Sequence, residues 1–542
     1  ARATPEHGLE ARATPERRGN AHGQDAHATP IHGLEAHATS AQPVSLPVTA
    51  TTSSITTMTT TTFPDLDRYF ARTGVDPLTG AFDAPELRRH RTKTEAKPET
   101  KPEPPDALAW REVVATTTAR PQAAGRPVAV YAHFPFCAAR CVFCPFYRYA
   151  DPADWRPYRD ALLDEIELAA APLAGLPPDR TPAVQAVYFG GGTPGDLPAE
   201  ALAAVILRIR QKFPVTADVE ITVEGRPSTF DAEKIAACRA AGATRFSLGV
   251  QTFDGDVRRA MGRRLEAGPL LGRLREIGAA AAGEAPVIVD LLYGLPGQTD
   301  AGWERDLETA IAEKSVAGLD LYRLKIFPGS PLARLAEAGR AAPASEAVMA
   351  RRFARGVERL RVAGWRRLSR WHWARPGARE RSVYNRLAKG AGDIVPLGCG
   401  AGGRWAGHGF MNTPGLGAWF AAVRAGEKNC LGRSAAPDAA WAGILSAQVE
   451  ACVLVPSAWS GVGVSAAALA LAERLLVQWR EAGLLETSAA GDSSGGCCCD
   501  GDGCNGDGDG GGEQWSLTVA GQYWSDRLLH ALQAVLGQPV HA

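Results

Sequence analysis

The chain has 542 residues, which is long enough for two or three domains around a large buried core. Its 59 basic and 59 acidic side chains balance, so no overall field favours nucleic acid or an anionic membrane surface. No apolar run reaches the roughly 18 residues of a membrane-spanning helix, and the 11 irregularly spaced cysteines indicate a reducing compartment rather than a secreted disulfide scaffold.

The start of the chain is repetitive and polar. The sequence of Ala1–Glu16 returns in altered form at Ala26–Ala41, and a Ser/Thr-rich run follows at Thr49–Thr62. Neither has the apolar content that would offset the entropy of ordering, so residues 1–62 are predicted to be disordered. Residues 63–126 are predicted to form an extension with a Lys/Glu/Pro-rich linker. No apolar signal core is present, so a cytoplasmic protein is expected, with organellar targeting left open.

From about Pro127 the pattern alternates between strands and helices. Apolar runs rich in Val, Leu and Tyr predict strands at Val128–His133, Val184–Phe189, Val219–Val223, Phe246–Gln251, Val287–Tyr293 and Leu319–Phe327. Helical periodicity lies between them, at Tyr158–Ala170, Pro198–Phe213, Asp231–Ala241 and Gly302–Lys314. Such alternation implies a parallel sheet with right-handed crossovers. The pattern therefore predicts an α/β fold, a partial TIM-like (β/α)6 barrel over residues 127–364, with functional residues at the carboxyl ends of its strands.

A cysteine-rich loop follows the first predicted strand. Cys137, Cys141 and Cys144 stand in the segment YAHFPFCAARCVFCPFY, Tyr131–Tyr147. The Cys-x3-Cys-x2-Cys spacing supplies three thiolates, whereas ordinary cubane clusters and structural zinc sites usually take four protein ligands. One iron of a cubane would therefore stay open to a small chelating ligand, and S-adenosylmethionine carries a suitable amino and carboxylate pair.

Polar or glycine-rich segments also follow the later strands. The second strand ends in a glycine turn made of Gly190, Gly191, Gly192, Thr193 and Pro194. Successive glycines let the backbone approach a polar ligand, because no Cβ stands in the way. The next three strands carry Glu224, Gln251, Arg263 and Asp290 at or near their ends. An arginine can pair with a ligand carboxylate and an amide can hydrogen-bond a ribose, so the set together indicates a nucleoside site.

These motifs together resemble those of radical S-adenosylmethionine (radical SAM) enzymes. By that resemblance the three cysteines hold a [4Fe-4S] cluster whose open iron binds S-adenosylmethionine. Phe143, directly before the third cysteine, is implied to pack on the adenine, and the glycine turn is implied to meet the ammonium of the methionyl end. The string from YAHFPFC to DLLYGLPGQT resembles the subgroup of oxygen-independent coproporphyrinogen III oxidase, which acts on or binds tetrapyrroles. That likeness places Tyr131, a catalytic candidate, near the sulfonium, and Glu224 near other polar groups of the cofactor.

Three branches of this subgroup come into question. Coproporphyrinogen oxidases continue with a fourth cysteine two residues after the third, and haem chaperones read CDF there, whereas this chain has Pro145 and Phe146. The third branch comprises the haem-utilisation enzymes of the ChuW/HutW type, radical SAM methyltransferases that open the haem ring and release iron. Its HW, ER-x-x-YN and GAGG elements are similar to His372–Asn412, and its opening segment is similar to Asp76–Phe82.

The resemblance therefore favours anaerobic haem opening, with haem chaperoning and coproporphyrinogen oxidation as the alternatives. It implies two molecules of S-adenosylmethionine, of which the second donates the methyl group. It also implies haem or a related tetrapyrrole as the substrate, and a flavodoxin- or ferredoxin-like protein as the electron donor.

The rest of the chain is predicted to form a substrate-side extension, residues 365–430, and a small, mostly helical domain, residues 431–542. Helices are predicted over Ala436–Leu485, and a short strand with another helix over Trp515–Leu536. The glycine-, aspartate- and cysteine-rich residues 491–512 predict a flexible insertion rather than a metal site, because adjacent cysteines cannot all turn toward one ion.

The segment Trp365–Arg381 is rich in tryptophan and arginine. This composition suits a planar dianion such as haem, and it suits equally an amphipathic strand with a basic outer face. Within the segment, His372 is a candidate to ligate the haem iron or to relay a proton, although a packed role is commoner for a single histidine.

Overall fold

The computed structural model describes residues 107–118, 127–139, 141–144, 149–150, 152, 154–177, 181–263, 267–390, 392–433, 440–488 and 514–537. All of them belong to the unit Thr62–Ala542. The predicted disorder of residues 1–62, the likeness at Asp76–Phe82 and the insertion at residues 491–512 lie outside the described residues. The domain boundaries given above stay predictions.

The described strands vary in length from two residues to eleven. In chain order they are β1 (Ala107–Ala109), β2 (Val128–Phe134), β3 (Phe136–Cys137), β4 (Tyr149–Ala150), β5 (Val184–Gly191), β6 (Val215–Gly225), β7 (Arg245–Gln251), β8 (Val287–Tyr293), β9 (Gly318–Arg323), β10 (Arg366–Arg367), β11 (His372–Ala374), β12 (Asp393–Leu397), β13 (Gly402–Trp405), β14 (His408–Asn412), β15 (Asn429–Arg433), β16 (Val453–Leu454), β17 (Leu485–Ser488) and β18 (Gln514–Leu517).

The described helices fall between these strands and at the end of the chain. They are α1 (Trp110–Thr118), α2 (Arg156–Ala174), α3 (Ala199–Lys212), α4 (Ala232–Ala241), α5 (Gly255–Ala260), α6 (Ala267–Ala281), α7 (Asp300–Ala312), α8 (Pro331–Glu337), α9 (Glu346–Val362), α10 (Val383–Lys389), α11 (Leu416–Arg424), α12 (Ala440–Ala451), α13 (Ser457–Ser460), α14 (Ala466–Glu481), α15 (Val519–Tyr523) and α16 (Ser525–Leu536). None of them combines the length and the apolar character that crossing a membrane would require.

A 13-stranded sheet carries the fold, with the order β1-β15-β14-β13-β12-β2-β5-β6-β7-β8-β9-β11-β10. Its centre, β2-β5-β6-β7-β8-β9, is parallel throughout. This confirms the predicted partial (β/α)6 barrel. The last of these strands ends at Arg323 rather than at Phe327, because β8 ends at Tyr293 and its carbonyl accepts the final inter-strand bond, from Leu324 N at 3.0 Å.

The helices predicted between the barrel strands are present and pack on one face of the sheet. Leu162 of α2 and Val205 of α3, for example, have no exposed surface. Capping side chains fix where several of these helices begin, because their oxygens accept otherwise unpaired amide hydrogens. Asp231 accepts from Lys234 N before α4, and Thr299 accepts from Gly302 N before α7.

Short strands extend the barrel at both edges. β12 pairs in parallel with β2, and β11 pairs antiparallel with β9. Sequence periodicity did not predict either strand, since each is five residues or fewer and glycine-rich segments surround β12. The strands within residues 365–430 therefore belong to the same sheet as the barrel strands.

Helix α10 lies on the face of the sheet opposite to the connecting helices. Its residue Val383 packs with Ala129 of β2, Ala186 of β5 and Ile394 of β12. The carboxylate of Glu220, on β6, accepts hydrogen bonds from the backbone amides of Val383 and Tyr384 at 2.9 and 3.0 Å. The first turn of the helix thus has an acidic partner, which its dipole favours. The concave side of the partial barrel is thus plugged at this level.

The C-terminal region is mostly helical, as predicted, and contains a three-stranded sheet of order β16-β18-β17. Arg370 joins it to the barrel region, because its guanidinium pairs with Glu450 of α12 at 2.9 Å and with Asp526 of α16. Arg375 instead donates to backbone carbonyls at the end of α7, including that of Glu313 at 2.8 Å. These two arginines of the Trp365–Arg381 segment therefore have structural partners.

A buried ion pair ties β12, β14 and α2 together. Lys428 Nζ lies 2.7 Å from Glu165 Oε1 and donates to the carbonyl of Pro396 at 2.6 Å, and both side chains are 2% exposed. Asn412 completes the cluster by donating to Glu165 at 2.7 Å. Such a pair is costly to break, because the remaining charge stays buried without a partner.

We expect the substitution Lys428→Met to lower the free energy of unfolding by about 3–5 kcal/mol, because it leaves the Glu165 carboxylate uncompensated. Urea denaturation followed by circular dichroism measures the change. The matched control is Lys212→Met, which removes a half-exposed ion pair with Glu167 and should cost about 1 kcal/mol or less. Equal losses in the two variants would contradict the assignment.

Candidate functional site

The cysteine loop and the glycine turn are joined by their backbones. Gly192 N donates to Phe134 O at 2.6 Å and Thr193 N donates to Phe136 O at 2.8 Å. The Cys137 sulfur lies 3.2 Å from the Thr193 hydroxyl oxygen. The segment predicted to hold a cluster therefore sits against the one predicted to hold the methionyl end of a ligand.

Close packing explains the glycine at position 192. A Cβ there would lie 2.1 Å from the carbonyl oxygen of Phe136 and 2.9 Å from that of Phe134. No side chain fits without moving the backbone of the cysteine loop. A Cβ at Gly190 would meet side chains rather than backbone, those of Tyr188, Glu224 and Tyr131, at 2.9 to 3.1 Å.

The far side of the cysteine loop is held by later parts of the barrel. Val142 N donates to Met261 O at 3.2 Å, and the carbonyl of Val142 accepts from Leu332 N at 3.0 Å. Phe143 packs against the apolar residues of this region, and its ring lies 5.7 Å from the guanidinium carbon of Arg263. The predicted adenine and carboxylate partners are thus neighbours.

Three tyrosines stack on the concave face. The Tyr131 ring centroid lies 6.4 Å from that of Tyr188 and 6.2 Å from that of Tyr384, and the latter two are 4.6 Å apart. The Tyr131 hydroxyl lies 2.9 Å from His133 Nδ1. Burial raises the pKa of Tyr131 and lowers that of His133 to about 4, so the phenol keeps its proton beside a neutral imidazole.

The polar residues at the later strand ends converge. Arg263 donates to Gly249 O at 3.0 Å, and the Gln251 amide lies over the same glycine, 2.8 Å from where its Cβ would be. Gln251 adopts a left-handed backbone conformation, with φ of 75°, at a shift in the pairing of β7 with β8. Such strain in a residue other than glycine is typical of binding sites. Asp290 pairs with Gly249 on the neighbouring strand.

Two acids of this group have raised pKa values. Burial raises the pKa of Glu224 to about 7, against a smaller opposing effect of a hydrogen bond with Tyr188. Burial, together with the charges of Asp320 and Glu224, raises the pKa of Asp290 well above its ordinary value. A cationic ligand would favour the ionised forms of both.

His372 is buried away from these groups, between two carboxylates. Its Nε2 lies 2.9 Å from Glu380 Oε1, and its Nδ1 lies 3.0 Å from Asp320 Oδ1, as an ion pair outside good hydrogen-bond alignment. Burial lowers the pKa of His372, but the two acids more than offset this and raise it to about 9. Because a carboxylate oxygen lies beside each ring nitrogen of His372, neither nitrogen is open to a haem iron.

The structure thus brings most of the predicted site residues together around the carboxyl ends of the barrel strands. These are Tyr131, Cys137, Cys141, Phe143, Cys144, Gly190, Gly191, Gly192, Thr193, Pro194, Glu224, Gln251, Arg263 and Asp290. His372 lies apart, toward the plugged side. Their roles toward a ligand stay predictions.

Sequence reasoning missed several residues of the same interior. His133, Arg245, Asp320, Glu380 and Tyr384 all face it or contact residues that do. A signal existed for two of them, since a lone charged residue inside an apolar strand is rare: Arg245 and Asp320 are 1% and 2% exposed. Glu380 and Tyr384 stand in the ER-x-x-YN element, where only the likeness had been noted.

Comparison with known proteins decides the family. The model of the radical SAM superfamily matches residues 131–310. The chain is 35% identical over 439 residues to anaerobilin synthase of Escherichia coli O157:H7, a match that covers 79% of this chain and 88% of the relative. The chain belongs to the radical SAM superfamily. This radical SAM protein is also 34% identical over 301 residues to the haem chaperone HemW of Mycobacterium tuberculosis, covering 53% of this chain and 71% of the chaperone.

A solved structure agrees in fold. Coproporphyrinogen III oxidase (HemN) from Escherichia coli, a radical SAM enzyme, superposes with a TM-score of 0.62 at 20% identity, over 78% of this chain and 92% of that one. Membership of the superfamily implies a [4Fe-4S] cluster and S-adenosylmethionine.

The residues fit such a cluster. Cys137, Cys141 and Cys144 offer their sulfur atoms from one short loop. Within the described residues no group of three or more His, Cys, Asp or Glu side chains is arranged to hold a single metal ion. A cubane does not require that arrangement, since each of its thiolates binds a different iron. The donor set and the adjoining glycine turn therefore suit a cluster with one open corner.

The substitution Gly192→Ala is expected to prevent cluster assembly. The added methyl group would push away the backbone of Phe136, which directly precedes the first cysteine of the loop. Iron and sulfide content and the visible absorption of the anaerobically reconstituted protein measure this. Gly268→Ala is the matched control, because nothing lies within 4 Å of a Cβ at that position. Full cluster content in Gly192→Ala would show that the loop tolerates the shift.

The pKa of Glu224 predicts how Glu224→Gln changes stability with pH. Because the folded-state value is raised to about 7 and the unfolded value is about 4.3, Glu224 stabilises the fold below that lower pH and loses this effect as pH rises to 7. Relative to wild type, the variant should gain up to about 3 kcal/mol of unfolding free energy across that window. Urea denaturation at a series of pH values measures the difference. Glu200→Gln, at an exposed position, serves as the control.

Proposed function

We propose that this radical SAM enzyme acts on haem, and that it methylates and opens the tetrapyrrole and releases iron in the absence of oxygen. The observation that carries the proposal is the extent of the likeness to anaerobilin synthase. A match over 79% of the chain must include its central part, with His372–Asn412, wherever the match begins. That part supplies α10 and β12, which plug and extend the barrel.

The proposed reaction needs an iron–sulfur cluster and two further sources, one of methyl groups and one of electrons. Cys137, Cys141 and Cys144 would hold the [4Fe-4S] cluster, which supplies the electron for reductive cleavage of a bound sulfonium. A second S-adenosylmethionine would provide the methyl group, and a flavodoxin- or ferredoxin-like protein would provide the electrons.

The chain's own contribution is to bind and orient. The glycine turn 190–194 offers backbone groups to the methionyl end, while Arg263 and Phe143 offer a cation and an aromatic face on the other side of the loop. Gln251, Glu224 and Asp290 line the interior between them. Tyr131 keeps its proton because burial and the nearby charge of Glu224 raise its pKa, so it faces a sulfonium as a neutral ring.

Haem chaperoning is the competing function. It is supported by the likeness to HemW, which reaches 34% identity but extends over 53% of the chain. The two functions differ in their products, because a carrier returns intact haem whereas an enzyme consumes S-adenosylmethionine. Coproporphyrinogen oxidation is less favoured, since Pro145 and Phe146 stand where its fourth cysteine would be.

An anaerobic assay with haem, S-adenosylmethionine and a strong reductant tests the proposal. We expect loss of the Soret band, formation of deoxyadenosine, release of ferrous iron and a methylated linear tetrapyrrole in the mass spectrum. Intact haem at the end of the assay, with no deoxyadenosine formed, would contradict the enzyme and favour the chaperone. Coproporphyrinogen III as a second substrate should not be decarboxylated.

Two cysteine variants separate the role of the cluster from general damage. Cys141→Ala should abolish haem consumption, because the cluster loses one ligand. Cys238→Ala is the matched control: its thiol is fully buried on α4, against the apolar core, and a buried free cysteine packs as a small apolar residue. Equal activity of the two variants would exclude a catalytic cluster at this loop.

A further inference from the structure

One row of paired residues crosses the barrel interior from His372 to the predicted cofactor residues. In the register of neighbouring strands, His372 of β11 stands opposite Asp320 of β9. Asp320 stands opposite Asp290 of β8, which in turn stands opposite Gly249 of β7. Adjacent strands lie about 4.8 Å apart, so neighbouring members of the row stand side by side, and His372 Nδ1 lies 3.0 Å from Asp320 Oδ1. At its far end Gly249 accepts a hydrogen bond from Arg263 at 3.0 Å.

The row is anchored firmly at the His372 end. Glu380, which bonds His372 at 2.9 Å, also accepts from Arg245 Nε at 3.0 and 3.1 Å through its two oxygens. Gly318 makes room for this cluster, because a Cβ there would lie 3.2 Å from both Glu380 Cγ and His372 Cε1 and 2.6 Å from Ile288 Cδ1. His372 and Glu380 are each 1% exposed, so solvent does not screen them.

Asp290 is the member of the row whose charge a cationic ligand would change. Its pKa is raised by burial and by the charges of Asp320 and Glu224, and it is lowered by the charges of Arg245 and His372. The ionisable groups that face it come from five strands: Tyr188 on β5, Glu224 on β6, Arg245 on β7, Asp320 and Tyr322 on β9, and His372 on β11. Glu380 faces His372 rather than Asp290 and holds a low pKa, about 2, because Arg245 and His372 outweigh its burial.

We propose that His372 and Asp320 are positioning residues that act on the cofactor site through Asp290, by setting how readily Asp290 gives up its proton when a sulfonium nucleoside binds. The proposal rests on the proposed function, because the ligand is S-adenosylmethionine. Its sulfonium and ammonium are fixed positive charges that favour an ionised carboxyl group beside them. Binding therefore releases protons from Asp290 and Glu224, and affinity rises with pH until both are already ionised in the free protein; His372 and Asp320 set the part of this rise that belongs to Asp290.

The two positioning residues act in opposite directions. Removing the negative charge in Asp320→Asn makes Asp290 easier to ionise, so the rise in affinity levels off at a lower pH than in wild type. Removing the positive charge in His372→Gln makes Asp290 harder to ionise, so the rise continues to a higher pH. Each shift is expected to be about one pH unit or more. Mere structural damage would change both variants in the same direction.

Anaerobic calorimetry of the cluster-loaded protein, without reductant, tests the inference. S-adenosylmethionine is titrated between pH 6 and 9 in pairs of buffers with different ionisation enthalpies, which counts the protons released. S-adenosylhomocysteine, which lacks the sulfonium charge, should release fewer protons. Glu167→Gln alters a half-exposed ion pair with Lys212 outside this row and should leave the pH profile unchanged. Should His372→Gln not fold, the shift of Asp320→Asn toward lower pH decides alone.

The outcomes separate the two proposals. Unshifted pH profiles, or shifts of the same sign in both variants, overturn the positioning role while S-adenosylmethionine still binds. No binding of S-adenosylmethionine by the wild-type protein overturns the proposed function, and this inference with it. Opposite shifts with proton release support both.

Discussion

The interior of this barrel depends on one buried interaction, the pairing of Arg245 with both oxygens of Glu380. A buried guanidinium and a buried carboxylate are each costly without a partner, and here His372 is a second neighbour of the carboxylate, at 2.9 Å. This pairing fixes the chain that leads into α10 against β7. Because α10 is held there, Tyr384 stacks on Tyr188 and the concave side of the barrel is closed at that level.

The predicted site residues lie on the open side of the barrel. Around the carboxyl ends of the strands, the cysteine loop, the glycine turn and the polar ends of β6 and β7 meet, as expected for a barrel of parallel strands. The floor beneath them contains acids that repel each other across β8 and β9. Burial and the charge of Asp320 raise the pKa of Asp290, so Asp290 favours its protonated form until a cation lies beside it. The sheet itself therefore sets the charge that this floor presents to the open side.

The C-terminal part of the chain is integral to this arrangement. β12 completes the sheet beside β2, and Glu165, Lys428 and Asn412 hold it to the first connecting helix. Arg370 joins the same region to α12 and α16. The arginines and tryptophans that composition had suggested for a planar dianion are, in the case of Arg370 and Arg375, used for these internal contacts.

The sequence by itself determined the cysteine loop, the glycine turn and the six barrel strands, because each depends on local patterns of spacing or on alternation along one segment. It determined less well where a strand ends, as with Arg323, since that depends on the length of the neighbouring strand. Only the tertiary structure decided what His372 does. Its two carboxylate partners come from β9 and from the segment before α10, and a pairing across strands leaves no periodicity in the chain. The same holds for Gly318: a side chain there would collide with Ile288, His372 and Glu380, which lie at least thirty positions away in the sequence.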